Sequence, residues 1–302
     1  MTFLLIEQVL NGLQLGVMLF LISAGLTLVF GVMGLINLAH GSLYMVGAFA
    51  AAAVAAYTGS YLMGIIASMI AAAVAGVLIE TLVIRRLYGR DHLDQVLATF
   101  ALILIFSEGT RMVFGSFPLY LSIPALIAGP VTLPGGLQYP LFRLVLIAVG
   151  VAVAVGLYLL ITRTRLGIQI QAGEADREMI DALGVDISKL YTFVFALGAG
   201  LAGLAGALVG TIQSVQVGMG EPVLITAFVV IVIGGIGSIR GAFVGALLVG
   251  LTDTLGAFLL PKATEVLFAS ADIGSVLSSM LIYILMAVVL VLRPTGLFGG
   301  TT

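Results

Sequence analysis

The 302-residue chain contains no cysteine, only two histidines and little charge. Without cysteine there is no disulfide framework, no thiolate metal site and no cysteine nucleophile. His40 and His92 lack the paired spacing of a zinc hydrolase, and no serine stands between small residues at a strand-to-helix elbow, so neither a metal site nor catalysis is expected. The only lysines are Lys189, after Ser188, and Lys262, after Pro261, so the Gly-Lys-Ser/Thr element that cradles nucleotide phosphates is missing. Charged residues make up 9% of the chain, against about a quarter in soluble domains. Twelve Lys plus Arg against fourteen Asp plus Glu leave a net charge of -2, which offers no basic stripe for nucleic acid. The start, Met1 to Glu7, has no cation ahead of its apolar stretch, unlike a cleaved signal peptide, and is expected to stay.

What remains is apolar: 61% of residues are hydrophobic and the mean hydropathy is +1.27. A bilayer-crossing helix needs about 20 such residues. Counting uncharged runs gives spans at about 9–30, 42–57, 61–84, 94–115, 139–162, 190–214, 223–236, 241–260 and 274–292. The seventh is short and suits a re-entrant segment, so the expectation is an all-α polytopic transmembrane bundle of eight or nine spans, one transmembrane domain over 1–302. Pro118, Pro124, Pro130, Pro134 and Pro140 forbid a continuous helix between the fourth and fifth spans. With the N-terminus outside, Arg85, Arg86, Arg90, Arg163, Arg165, Arg177, Lys189, Arg240 and Arg293 fall inside and only Arg111, Arg143 and Lys262 outside, the bias that cytoplasmic loops show.

One polar segment interrupts the pattern. Nine charged residues lie within 163–189. Inside it Glu174 to Leu183 reads as a short helix, with Ala175, Met179, Ala182 and Leu183 on one face, Gly173 and Gly184 bracketing it, and Asp186 or Ser188 placed to cap the next span. So short a helix is marginal alone, and must dock either on the inner ends of the bundle or on a soluble partner.

Acidic residues inside spans are the sites an ion-coupled carrier would use. Glu80 is near Arg85 and Arg86, and Glu108 is near Arg111, which leaves Asp253 as the awkward charge: a pathway residue, or one with a partner or a wet position. Two glycine-punctuated stretches resemble each other, Phe30 to Asn37 and Ile233 to Arg240, each followed by a glycine, Gly41 and Gly241. Paired glycine-interrupted segments point to broken helices around a translocation path. Asn37 and His40 then either hold such a break or belong to an ordinary inner loop. The small residues from Gly198 to Gly210 allow close helix approach, within the bundle or at a subunit interface.

Several stretches resemble the LivH-type permeases of branched-chain amino acid ABC importers. They are Asn11-Gly12-Leu13, Ala24 to Leu28, FGVMGLINLAHGSLYMVGAFAA from Phe30 to Ala51, Ala172 to Val185, GGIGSIRGAFVGALLVG from Gly234 to Gly250, and Arg293 to Gly299. The usual Glu-Ala-Ala pattern with glycine six residues after the Glu is altered, since Asp176 replaces the second Ala and Ile180 the Gly. The resemblance implies a multi-pass subunit of the bacterial inner membrane. It also implies an ATPase-coupling segment comprising Glu174, Ala175, Asp176, Met179, Ala182, Leu183 and Gly184; the candidates for the translocation path, from the residues themselves, are Asn37, His40 and Asp253. Its implied partners are a second permease or second copy, two ATPase subunits that bind ATP and Mg, and a soluble substrate-binding protein. No cofactor is expected on this chain. The alternative is a stand-alone channel or ion-coupled carrier of amino acids or amides. Since mid-membrane polar groups other than Asp253 are few, no high-affinity substrate site is expected.

Overall fold

The computed structural model describes residues 2–269 and 271–299. Their helices are α1 (Thr2–Met33), α2 (His40–Thr58), α3 (Tyr61–Leu82), α4 (His92–Phe114), α5 (Leu141–Arg163), α6 (Arg165–Ala175), α7 (Arg177–Ala182), α8 (Ile187–Gly210), α9 (Gly220–Gly234), α10 (Ile239–Phe268) and α11 (Ala271–Leu292). Eight of them are long and apolar enough to cross a membrane. The fifteen residues of α9 extend about 22 Å, short of a core about 30 Å thick. The expected seventh span, 223–236, is thus a helix about three-quarters of a full crossing that begins three residues earlier.

Contacts between distant residues fix which helix ends lie together. At the end rich in arginine, Glu80 of α3 meets Thr192 of α8, and Tyr88 donates to Met33 Sδ. At the opposite end Tyr61 meets Thr211 at 3.1 Å, Leu119 pairs with Val215, and Asn11 Oδ1 accepts from Tyr139 at 3.0 Å and from Arg143 at 2.5 Å. The proline-rich segment closes that second end as an antiparallel hairpin, Pro130–Thr132 with Gln138–Pro140. Tyr139 and Tyr191 are buried packing residues, whereas Tyr57 is 93% exposed, as an interfacial aromatic is.

The centre of the bundle is α8. Its small residues let other backbones lie directly on it. A methyl group built on Gly25 of α1 would come within 2.5 Å of the Gly198 carbonyl oxygen, and one on Gly203 within 2.5 Å of the Ser68 oxygen of α3; Gly47 and Tyr44 of α2 touch Gly203 and Gly206. The run from Gly198 to Gly210 therefore serves internal packing, and the apolar outer faces of α3, α4, α5 and α11 are left exposed.

The segment 163–189 corrects one expectation. No single helix spans Glu174 to Leu183. Chain direction breaks at Asp176, which adopts an extended conformation (φ -156, ψ 99) and caps α7, its Oδ1 accepting from the backbone N–H of Glu178 at 3.0 Å and Met179 at 2.9 Å. An aspartate serves a helix better as a cap than inside it, because its carboxylate satisfies otherwise orphaned N–H groups. Gly173 does not bracket a helix but lies buried inside α6, near Leu190. Gly184 is the expected stop: at φ +87 it donates to Asp181, and Val185 donates to Ile180, closing α7 in a Schellman turn. Asp186 then caps α8 by accepting from the Lys189 N–H at 3.1 Å.

Candidate functional site

Two helix breaks face one another at the arginine-rich end. In the first, α1 stops where Gly34 turns left-handed (φ +65) and donates to Phe30 O at 2.8 Å. Residues 35–39 then run back into the bundle to start α2 at His40. This is a break and not an ordinary surface loop, because Leu35, Asn37, Ala39 and His40 are fully buried. Asn37 satisfies part of the open backbone, its Oδ1 accepting from the Ala39 N–H at 3.0 Å. His40 does not: both its ring nitrogens are buried without a hydrogen bond, as are Asn37 Nδ2, Thr27 Oγ1 and the Tyr44 hydroxyl. The His40 ring lies against Gly25, where a methyl group would sit 3.0 Å from Nε2.

In the second break α9 ends at Gly234. Gly235 (φ +101) and Gly237 (φ +82) turn the chain, and Ser238 caps α10 by accepting from the Gly241 N–H at 3.0 Å. The likeness between the two glycine-rich stretches is thus a likeness of structure, helix, left-handed glycine, short linker and new helix. They also touch. A methyl group on Gly31 would lie 3.1 Å from the Gly237 Cα, and the Glu174 carboxylate stands at that junction, its Oε1 2.6 Å from a methyl built on Gly237 and 3.4 Å from one on Gly31. Partial burial there raises the Glu174 carboxyl above the usual carboxylate range. A cavity of about 390 Å³ opens beside it, lined among others by Thr27, Tyr158, Gln171 and Arg240.

Past Glu174 and Ala175 the chain turns outward. Met179 and Leu183 are 59% and 75% exposed, and Ala182 and Gly184 are exposed with them, whereas Ile180 packs inward. The apolar face of α7 is therefore not covered by this bundle. Of the three residues placed on the path, Asn37 and His40 come together at the first break. Asp253 stands apart, partly exposed on α10 one turn beyond Gly250, whose backbone lies against Gly12 and Gly16 toward the opposite end of α1.

Sequence reasoning missed the reach of Glu80. Its fully buried carboxylate accepts from Arg85 Nε and Nη2 at 3.1 and 3.0 Å, Tyr88 at 2.9 Å and Thr192 at 2.8 Å. The pairing with Arg85 was legible from spacing; the α8 hydroxyl, 112 residues away, was not.

A helical bundle with eight long spans, one short helix, two facing breaks and an uncovered helix at the arginine-rich end is a polytopic membrane bundle of transporter type. The family model for the branched-chain amino acid transport system permease component matches residues 8–290. The high-affinity branched-chain amino acid transport system permease protein BraD of Pseudomonas aeruginosa is 31% identical over 308 residues, covering 97% of this chain and 95% of the relative. LivH of Salmonella typhimurium is 27% identical with the same coverage, and a probable LivH of Methanocaldococcus jannaschii is 29% identical over 133 residues, 44% of this chain and 40% of the relative. No solved structure matches significantly. The chain belongs to the branched-chain amino acid permease family. It is a transport subunit of ABC-importer type and a multi-pass protein of the bacterial inner membrane.

Proposed function

We propose that this subunit forms the translocation path for branched-chain amino acids delivered by a soluble binding protein, with a second permease or second copy beside it and two ATPase subunits beneath. ATP and Mg belong to those ATPases. The observation that carries the reading is the uncovered face of α7: Met179 and Leu183 project from a capped, fixed helix at the arginine-rich end, where a stand-alone carrier needs no apolar surface in water. In this reading Asp176, Met179, Ala182, Leu183 and Gly184 form the docking element, and Glu174 with Ala175 joins it to the bundle. Asn37 and His40 belong to the path at the first break, their unpaired polar atoms giving it weak polarity, and Asp253 lies nearer its outer end. The test is the double substitution Met179→Asp with Leu183→Asp in the reconstituted complex. ATPase subunits should dissociate or hydrolyse ATP without driving uptake, while the purified permease keeps its helical content. Normal coupled uptake by the double variant would remove the docking assignment.

A further inference from the structure

The shortness of α9 puts a carboxylate where the sequence alone had placed none. Gly237, just past the end of α9, lies against Gly31 near the end of α1, so both helices finish at the same level. Gly220, at the start of the fifteen-residue α9, therefore stands at most about 21 Å above that level, inside a core about 30 Å thick. A second contact agrees. A methyl group on Gly41 would lie 2.6 Å from the Gly220 carbonyl oxygen, and Gly41 follows His40, whose ring rests at the crossing of Gly25 with Gly198, the midpoint of α8. Glu221 is thus in the first turn of a helix that starts within the membrane. The expected span, 223–236, had left it outside.

Glu221 is exposed on the surface of this chain and joins none of the three ion pairs found among the described residues. Its carboxylate folds back over Gly218: Oε2 lies 3.3 Å from where a methyl group on that residue would sit, and φ there is +87. The Gly218 N–H in turn donates to Met45 Sδ at 3.4 Å. Around it Leu38, Gly41, Ser42 and Ile103 form a narrow crevice between α2, α9 and α4. Hydrocarbon is a costly place for a carboxylate, and such groups face a water-filled route or a cationic partner. The start of α9 accounts for its tolerance there, since a carboxylate suits a helix N-terminus, but not for its exposure at this depth.

We propose that Glu221 lines the translocation path and meets the ammonium group of the passing amino acid. The inference rests on the permease reading above and adds the residue and the substrate group it recognises. Attraction at one carboxylate is weak and local, which suits a path that must release its cargo.

The test uses the complete reconstituted transporter with its binding protein saturated by leucine. Glu221→Gln should lower maximal uptake about tenfold, roughly one pK unit's worth of interaction. Glu221→Asp should keep most of the activity, and partner subunits should co-purify with both. Because the chain has no native cysteine, Glu221→Cys carries the only thiol of this subunit. It should react with a membrane-impermeant, water-soluble methanethiosulfonate reagent, and faster during ATP turnover. Wild-type uptake by Glu221→Gln, or no thiol labelling in either state, would overturn the proposal. So would loss of the second permease from Glu221→Gln, which would make the carboxylate an interface ion pair. A wild-type complex that takes up no leucine would instead sink the permease reading, before any variant is compared.

Discussion

The Glu80 carboxylate, fully buried near the end of α3, accepts a 2.8 Å hydrogen bond from the Thr192 hydroxyl on α8. Thr192 lies about one and a half turns into α8, so this bond ties the exit of the 163–189 segment to the α3–α4 corner. Removing Arg85 strands a buried charge and should cost about 3 kcal/mol, the low end for a broken buried pair because Arg85 itself is 40% exposed. Glu80→Gln should cost about 1–2 kcal/mol, and Thr192→Val about 1 kcal/mol. Thermal midpoints in detergent should rank Arg85→Ala lowest; an Arg85→Ala variant as stable as wild type would refute the buried-pair account.

Glycines divide into two groups with opposite expectations. Ala at Gly203 would press on Ser68 O and Ala72 Cβ at 2.5 and 2.6 Å, and Gly206 is closed by the Tyr44 backbone. Either substitution should lower stability by about 1–3 kcal/mol through overpacking. Gly109 and Gly156 have nothing within 4 Å of a built methyl group, and Ala there should be neutral or stabilising by up to about 1 kcal/mol. Yield of folded permease after mild heating separates the groups.

Cysteines placed singly from Met33 to Leu43 read out the first break directly. Labelling by an impermeant thiol reagent should be strong at Gly34, weak at Ile36 and Leu38, and absent at Leu35, Asn37 and from Ala39 to Leu43, following their burial. Uniform labelling would mean that the linker is a plain surface loop.

The cap of α8 should depend on acid. The Lys189 side chain and backbone N–H hold the Asp186 carboxyl below its usual range. A depressed folded pKa means stability that is present above the unfolded aspartate value and lost as pH falls through the folded one. Amide exchange at Lys189 should therefore stay slow through the ordinary aspartate titration range and accelerate only below it. Asp186→Asn should retain much of the cap and lose that pH dependence.

The existence of the long helices was legible because uncharged runs count spans, and the glycine likeness pointed to the breaks while leaving Asn37 and His40 open between a break and an ordinary inner loop. What escaped was decided by local competition or by distance. The helical spacing of Ala175, Met179 and Ala182 runs straight across Asp176, and nothing in that periodicity says that its carboxylate will cap instead of continue the helix. Glu221 was missed for a related reason: Pro222 and Glu221 look like a loop before a span, and only the contact of Gly41 with Gly220 shows how deep that loop descends. The Glu174 position between Gly31 and Gly237 was not legible either, because the likeness of the two glycine stretches says nothing of a third segment at their junction.

The long pair α1 and α10 has a further consequence. At 32 and 30 residues they measure about 48 and 45 Å, while the hydrocarbon they cross is about 30 Å thick. They pack along Gly12, Gly16 and Gly250, and Phe3, Leu4, Ile6 and Val9 are apolar and exposed at the start of α1, so the excess length is not simply a water-soluble overhang and must be taken up in part by tilt. The same chain holds α9, which is too short. Hydrophobic mismatch therefore acts with opposite sign on two elements that share one end, at Gly31 and Gly237. Longer acyl chains should stand the long pair upright and bury the start of α9 deeper; shorter ones should lay the pair down and bring Gly220 nearer the surface.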